Sequence, residues 1–219
     1  MIRLDIIADY ACPWCYLGKA MLDRALEAHP QHPFIVEWHP YQIDPSVPPE
    51  GMDRLEYMAA RFGSVAAIAK VHEPLLAMAE KAGVQFNLPA ITRTPNTINA
   101  HRLTHWAALE GRQAAVVSAL YRGYWREGQD IGDAATLTKI AAQAGMDEAL
   151  TTRLLASDAD RDLIAQRIAH SRSRGVTSVP TFIVADRHAL MGAQEPALWA
   201  QVIQEVTQGL SQQDEAPDE

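Results

Sequence analysis

Strand-forming sequence lies only at the two ends of this chain, and the long stretch between them carries helical periodicity. A sheet must therefore be assembled from segments far apart in sequence, with the helical stretch inserted between them. At the front, Ile2, Leu4 and Ile6 alternate with Arg3 and Asp5 and run on through Ile7 and Ala8, which predicts a strand. Leu17, Met21, Leu22, Ala25 and Leu26 recur at helical spacing until Pro30, and Phe34-Ile35-Val36-Glu37-Trp38 is a second run of strand formers. At the back, Pro180-Thr181-Phe182-Ile183-Val184 and Ala189-Leu190-Met191 read as two strands around a turn at Asp186-Arg187-His188, and a helix follows from Pro196 to about Gln208.

The pattern predicts an α/β fold in which residues 1–44 and 176–209 form one discontinuous domain around an all-helical insertion at 45–175. The polar, acidic tail 210–219 is expected to be disordered. Inside the insertion, helix starts are expected at Asp53 with Glu56, at Ser64, at Thr94-Pro95 and at Asp133, Asp147 and Asp158 or Asp160. Gly111, Gly145 and Gly175 fit helix ends, and Pro74 should kink or break the helix containing it. Trp106, Trp125 and Trp199 fall among apolar neighbours at helical spacing and read as core.

Charge narrows the partners. Asp and Glu number 27 against 19 Lys and Arg, a net charge of −8, which argues against a nucleic acid because that affinity rests on clustered cations. No run approaches the roughly 20 apolar residues a membrane helix needs. The first residues lack the basic-then-apolar layout of a signal peptide, so a cytoplasmic protein is expected.

The chain's two cysteines stand at Cys12-Pro13-Trp14-Cys15, at the first strand-to-helix turn. Residues three apart share a helix face, so the two sulfurs can reach disulfide geometry. Cys12 is placed at the helix N-terminus, where unpaired N–H groups and the positive end of the helix favour a thiolate, and Pro13 suits the first turn because it lacks an N–H. The spacing thus reads as a redox pair, with Cys12 attacking and the deeper Cys15 resolving the mixed disulfide. Two other readings stay open: half of a zinc site completed by His29, His32 or His39, and two inert buried thiols. A second signal is Val179-Pro180 at the start of a strand. Proline there can simply be a strand-initiating residue, or it can form a cis bond facing the cysteines and leave the Val179 backbone free to pair with an extended substrate.

These blocks resemble the DsbA family of the thioredoxin superfamily, close to its FrnE-like branch. The resemblance is carried by Asp9 through Lys19, Pro95-Asn96-Thr97 with Ala100-His101-Arg102-Leu103, Glu127-Gly128 with Asp130-Ile131, Gly175-Val176 with Val179-Pro180-Thr181-Phe182, and Gly192-Ala193-Gln194. It implies a thioredoxin fold interrupted by a helical domain, catalytic Cys12 and Cys15, and a cis Pro180 at the active face. The implied activity is thiol-disulfide exchange on protein or peptide disulfides. Pro13, Trp14, Val179 and Pro180 are the implied substrate contacts, with Asn96, exposed near its helix start, and His101 as a polar wall of the cleft; alternatively His101 is packed and hydrogen-bonded between the domains. Trp14 and Tyr16 are expected to shape substrate contact. No bound cofactor or metal is expected beyond the redox-active Cys12-Cys15 disulfide, with glutathione as an exchanging thiol.

The same fold is shared by 2-hydroxychromene-2-carboxylate isomerase and kappa-class glutathione transferases, which place Ser where Cys12 stands. A glutathione-dependent isomerase or transferase is therefore the alternative, and a peptide-binding chaperone module a third. Glu195 is expected to repel a glutathione carboxylate. The oligomeric state is not legible in the sequence.

Overall fold

The computed structural model describes residues 1–214. β1 (Ile2–Ala8) leads into α1 (Pro13–Ala28), and β2 (Phe34–Pro40) returns parallel to β1, with Leu4 opposite Val36 and Ile6 opposite Trp38. After the helical insertion, β5 (Thr181–Val184) pairs antiparallel with β1 and β6 (His188–Met191) with β5, giving the order β2-β1-β5-β6. The alternation of β1 decides its faces. Leu4, Ile6 and Ala8 join Leu22 and Ala25 of α1, and Trp199 and Ile203 of α9 (Pro196–Asp214), in the main core. Arg3, Asp5 and Ile7 point the other way.

The insertion contributes α2 (Arg54–Phe62), α3 (Val65–Lys81), α4 (Ile98–Leu109), α5 (Gln113–Trp125), α6 (Ala134–Gln143), α7 (Glu148–Leu155) and α8 (Arg161–Ser173). Asp53, Ser64, Asp133 and Asp147 each cap their helix through a side-chain oxygen, as expected. Gly111, Gly145 and Gly175 all adopt positive φ. Trp106, Trp125 and Trp199 are buried.

Several expectations are corrected. The insertion is not wholly helical: Met52–Asp53 (β3) pairs antiparallel with Arg93–Thr94 (β4). Thr94-Pro95 therefore does not open a helix; α4 begins at Ile98, because Thr94 is held in that ladder. Pro74 does not break its helix, which runs from Val65 to Lys81 with the proline on its exposed side, where a lost backbone bond is tolerated. Asp160 precedes α8 in the left-handed region (φ 58) without capping it, and its carboxylate instead accepts the Trp106 indole N–H at 2.7 Å. The last helix continues past Gln208 to Asp214, so the expected disorder of 210–219 fails for its first part. Residues 215–219 lie outside the described residues.

Candidate active site

Cys12 is the N-cap of α1, with extended backbone (φ −92, ψ 115) and no side-chain cap bond, so its sulfur is free for other work. Pro13 occupies the first turn, where no acceptor awaits an N–H. Cys12 Sγ lies 3.6 Å from the Val179 carbonyl oxygen. The Val179–Pro180 peptide is cis. The loop is fixed from behind, because the Gly192 N–H donates to Pro180 O at 2.8 Å and the Thr181 hydroxyl to Ser178 O at 2.7 Å. Gly18 lets α1 come this close: a Cβ there would stand 3.1 Å from Pro180 Cγ.

Both thiols are free, and Cys15 is the deeper of the two, at 1% exposure against 6%. Burial, and next its interaction with the Cys12 sulfur, push the Cys15 thiol well above its ordinary range. Cys15 is therefore held as a protonated thiol, buried more deeply than the Cys12 sulfur.

The insertion holds this turn rigid. Trp125 Nε1 donates to Tyr10 O at 2.9 Å and the Tyr121 hydroxyl to Asp9 O at 3.3 Å, both from α5. Asp9, 1% exposed, accepts from the Ile43 N–H at 2.8 Å, and the Tyr10 hydroxyl bonds Thr104. The expected wall residues belong to this scaffold. His101 Nε2 stands 2.8 Å from Tyr41 O and 3.5 Å from Asp9 Oδ1, with its ring against Tyr10. Asn96 donates to Val47 O at 2.7 Å and accepts from the Ile98 N–H. His101 is used up between the sheet domain and the insertion, Asn96 binds chiefly within the insertion, and neither lines the pocket beside Cys12. Trp14 is half-buried and lines that pocket, whereas Tyr16 stacks on Tyr121 and meets Phe86 edge-on.

That pocket, of about 240 Å³, was not legible in the sequence. Cys12, Pro13 and Trp14 form one wall, and Arg54, Met58, Phe62, His72 and Leu75 of α2 and α3 close over it. Those residues come from 40 to 63 positions further along, and no motif marks them. Tyr124, beneath the pocket, is 1% exposed and its hydroxyl is pushed up to about 12, chiefly by burial. In the unfolded chain a tyrosine ionises near 10. Above that pH the unfolded state sheds the proton first, so stability should fall as pH rises from about 10 through 12, by up to about 3 kcal/mol for this group. Urea midpoints at pH 8 and pH 11 check this, and Tyr124→Phe should flatten the fall.

The histidines weighed as zinc ligands do not gather at the cysteines. His29 bonds Ala25 O through Nδ1, and His32 accepts from the Phe34 N–H. His39 lies on the opposite sheet face with Asp5 and Glu37, their ligand atoms within 4.8 Å of one another. There Arg3 bonds Asp5 at 2.9 Å, His39 Nε2 meets Asp5 at 2.7 Å, and Arg167 reaches His39 Nδ1 and Glu37. Two guanidinium groups thus compete with a cation for that cluster. Glu195, expected to repel glutathione, is paired with Lys81 at 2.7 Å, so its charge is offset.

Residues 3–204 match the model of the DSBA-like thioredoxin domain. The chain belongs to that family. The DSBA-like assignment is accompanied by 30% identity over 186 residues to the uncharacterised protein YwbO of Bacillus subtilis, covering 84% of this chain and 88% of that one. The probable DsbA oxidoreductase SCO1869 of Streptomyces coelicolor superposes with a TM-score of 0.84 at 27% identity, over 100% of this chain and 93% of that one. The fold is shared further with 2-hydroxychromene-2-carboxylate isomerase (TM-score 0.68, 16% identity, 97% of both chains) and with the cytosolic disulfide reductase DsbM of Pseudomonas aeruginosa, solved with glutathione (0.68, 19%, 94% and 99%). The chain is thus a thioredoxin fold with a helical insertion, similar to a probable DsbA oxidoreductase. No helix among the described residues is long and apolar enough to cross a membrane.

Proposed function

We propose that the protein is a thiol-disulfide oxidoreductase acting on protein or peptide disulfides, with Cys12 as nucleophile and Cys15 as resolving thiol. The observation that carries the reading is the placement of the Cys12 sulfur 3.6 Å from the Val179 carbonyl, with Cys15 buried behind it. An extended substrate can pair with the Val179 backbone while its disulfide meets Cys12. The Cys12 thiolate attacks a substrate disulfide, one S–S bond forms to Cys12, and the other substrate sulfur leaves as a thiolate. Cys15 then loses its proton and attacks Cys12 Sγ, expelling the second substrate thiolate. The substrate gains two electrons, and the protein is left with a Cys12–Cys15 disulfide.

Run in reverse, the same steps oxidise a dithiol. Glutathione enters as an exchanging thiol that reduces the internal disulfide, and its presence in the DsbM structure supports this use. Pro13, Trp14, Val179 and Pro180 form the substrate-facing surface, with Asn96 and His101 in supporting roles behind it. The cytosolic setting belongs to the proposal as well, and the Pseudomonas neighbour is by its name a cytosolic disulfide reductase.

The test is trapping with Cys15→Ser. Mixed disulfides on Cys12 should accumulate, release on addition of reductant, and carry protein or peptide partners. Activity on a small aromatic substrate that persists in Cys15→Ser and requires glutathione would assign the chain to isomerase chemistry instead.

A further inference from the structure

The pocket beside Cys12 holds two polar groups that the protein leaves without a suitable partner. Arg54, the first residue of α2, is 9% exposed, and its single side-chain hydrogen bond among the described residues runs from Nη1 to the Tyr124 hydroxyl at 3.2 Å. A guanidinium carries five donors, and buried ones are ordinarily paired with an anion. No carboxylate pairs with Arg54 among the described residues, although its guanidinium carbon lies 5.6 Å from the Trp125 ring centroid. Thr94, 3% exposed on the short β4 strand, also lines the pocket, and its hydroxyl has no hydrogen-bond partner among the described residues. A buried hydroxyl in that state is uncommon in a folded protein and leaves Thr94 a donor to spare.

The charge around these groups is one-sided. The chain as a whole carries −8, yet the pocket is lined by Arg54, Arg61 and His72 with no Asp or Glu. Arg61 is exposed and bound to Asp44 at 3.2 Å, which leaves Arg54 as the uncompensated cation inside. The remaining walls are apolar and aromatic: Met58, Phe62, Leu75, Trp14 and Trp125. At about 240 Å³ the space fits one side chain or a small molecule, below the usual range for larger ligands.

We propose that this pocket receives a carboxylate borne on an apolar or aromatic group of the disulfide partner, with the carboxylate on Arg54 and Thr94 and the apolar body over Met58, Phe62 and Trp125. The inference rests on the exchange reading above and names the substrate class for it. Arg offers the planar, two-pronged donor set that a carboxylate fits, and Thr94 supplies a third donor. Such partners would arise from a small thiol acid or from an acidic residue flanking a cysteine in a peptide. The bond-making step is unchanged: Cys12 attacks the partner's disulfide, and the carboxylate sets which sulfur arrives there.

Two aromatic disulfides that differ in charge test this on the reduced full chain. Dithiobis-nitrobenzoate carries a carboxylate on each ring, and dithiodipyridine carries none. Rates of adduct formation at Cys12, each divided by the rate with free cysteine in the same buffer, give an acid-to-neutral ratio. The ratio should exceed one by about ten-fold, the factor expected of one charge-assisted contact. Arg54→Gln should bring it near one, Arg54→Lys should restore part of it, and Thr94→Val should lower it about three-fold. End-capped peptide disulfides with Glu or Gln beside the cysteine distinguish the two sources: a Glu preference that Arg54→Gln removes assigns a peptide partner, and its absence alongside the aryl preference assigns a small acid.

A ratio near one in the natural chain, or one that Arg54→Gln and Thr94→Val both leave unaltered, overturns the inference. Calorimetry of sulfur-free nitrobenzoate with Cys12→Ser separates this failure from that of the exchange reading. Binding there that is lost on adding Arg54→Gln, in a natural chain that reacts with neither disulfide, sinks the oxidoreductase and keeps the carboxylate receptor. Brisk exchange with both disulfides and no nitrobenzoate binding does the opposite.

Discussion

Replacing Cys12 with serine is expected to lower disulfide exchange by on the order of a thousand-fold or more, because a serine hydroxyl at neutral pH can neither attack a disulfide nor carry the mixed-disulfide intermediate. Cys15 cannot take over. It is 1% exposed and its thiol is pushed well above the ordinary range by burial, so at neutral pH it is both shielded and protonated. Alkylation of the reduced protein should show the same asymmetry, Cys12 labelling first and Cys15 lagging by about ten-fold or more. Mass spectrometry of samples quenched over time reads both sites at once. Equal labelling rates, or exchange that survives in Cys12→Ser, would remove the division of roles between the two sulfurs.

The parts of this arrangement that are local in sequence are the parts the sequence carries plainly. The strand, the cysteines and Pro13 at the start of α1 fall within fifteen residues, and each obeys a rule about helix ends or strand alternation. The meeting of Cys12 with Val179 spans 167 positions. No periodicity encodes it; the resemblance of the Cys12-Pro13-Trp14-Cys15 and Val179-Pro180 blocks to the DsbA family implies it. The pocket was missed because α2 and α3 contribute residues that look like ordinary amphipathic helix, and an arginine's lack of a partner is invisible until the fold places its neighbours. Motif residues also proved to serve the scaffold: Gly128, at φ 67, stands where a Cβ would lie 2.3 Å from Ala90 O. Thr94-Pro95 misled because a local helix-start signal lost to a two-residue strand pairing with Met52 and Asp53.

Arg102 belongs with those scaffold residues, and its loss should be strongly destabilising. Its side chain is fully buried on α4. Nε donates to Ala159 O at 2.7 Å, Nη1 to Asn99 Oδ1 at 2.9 Å, and Nη2 to Leu154 O at 2.8 Å and Ser157 O at 2.7 Å. The guanidinium carbon lies 5.0 Å from the Trp106 ring centroid. One side chain thus reaches carbonyls at the end of α7 and in the loop to α8; Leu154 O also accepts from the Ser157 N–H and hydroxyl, so Ala159 O and Ser157 O depend on Arg102 the most. Arg102→Leu removes those donors from part-buried carbonyls and puts an apolar side chain among them, at about 1–3 kcal/mol for each carbonyl that water cannot reach. A total loss of about 3–5 kcal/mol is expected, a large share of the 5–15 kcal/mol that holds a typical domain together. Arg102→Lys keeps the charge but offers a single nitrogen, which cannot span four acceptors, so it should recover less than half of the loss. Urea unfolding with an unchanged slope and a lowered midpoint is the measurement. An unfolding free energy within about 0.5 kcal/mol of the natural chain's for Arg102→Leu would mean that the loop between α7 and α8 opens to water without cost, and the hub role would fall with it.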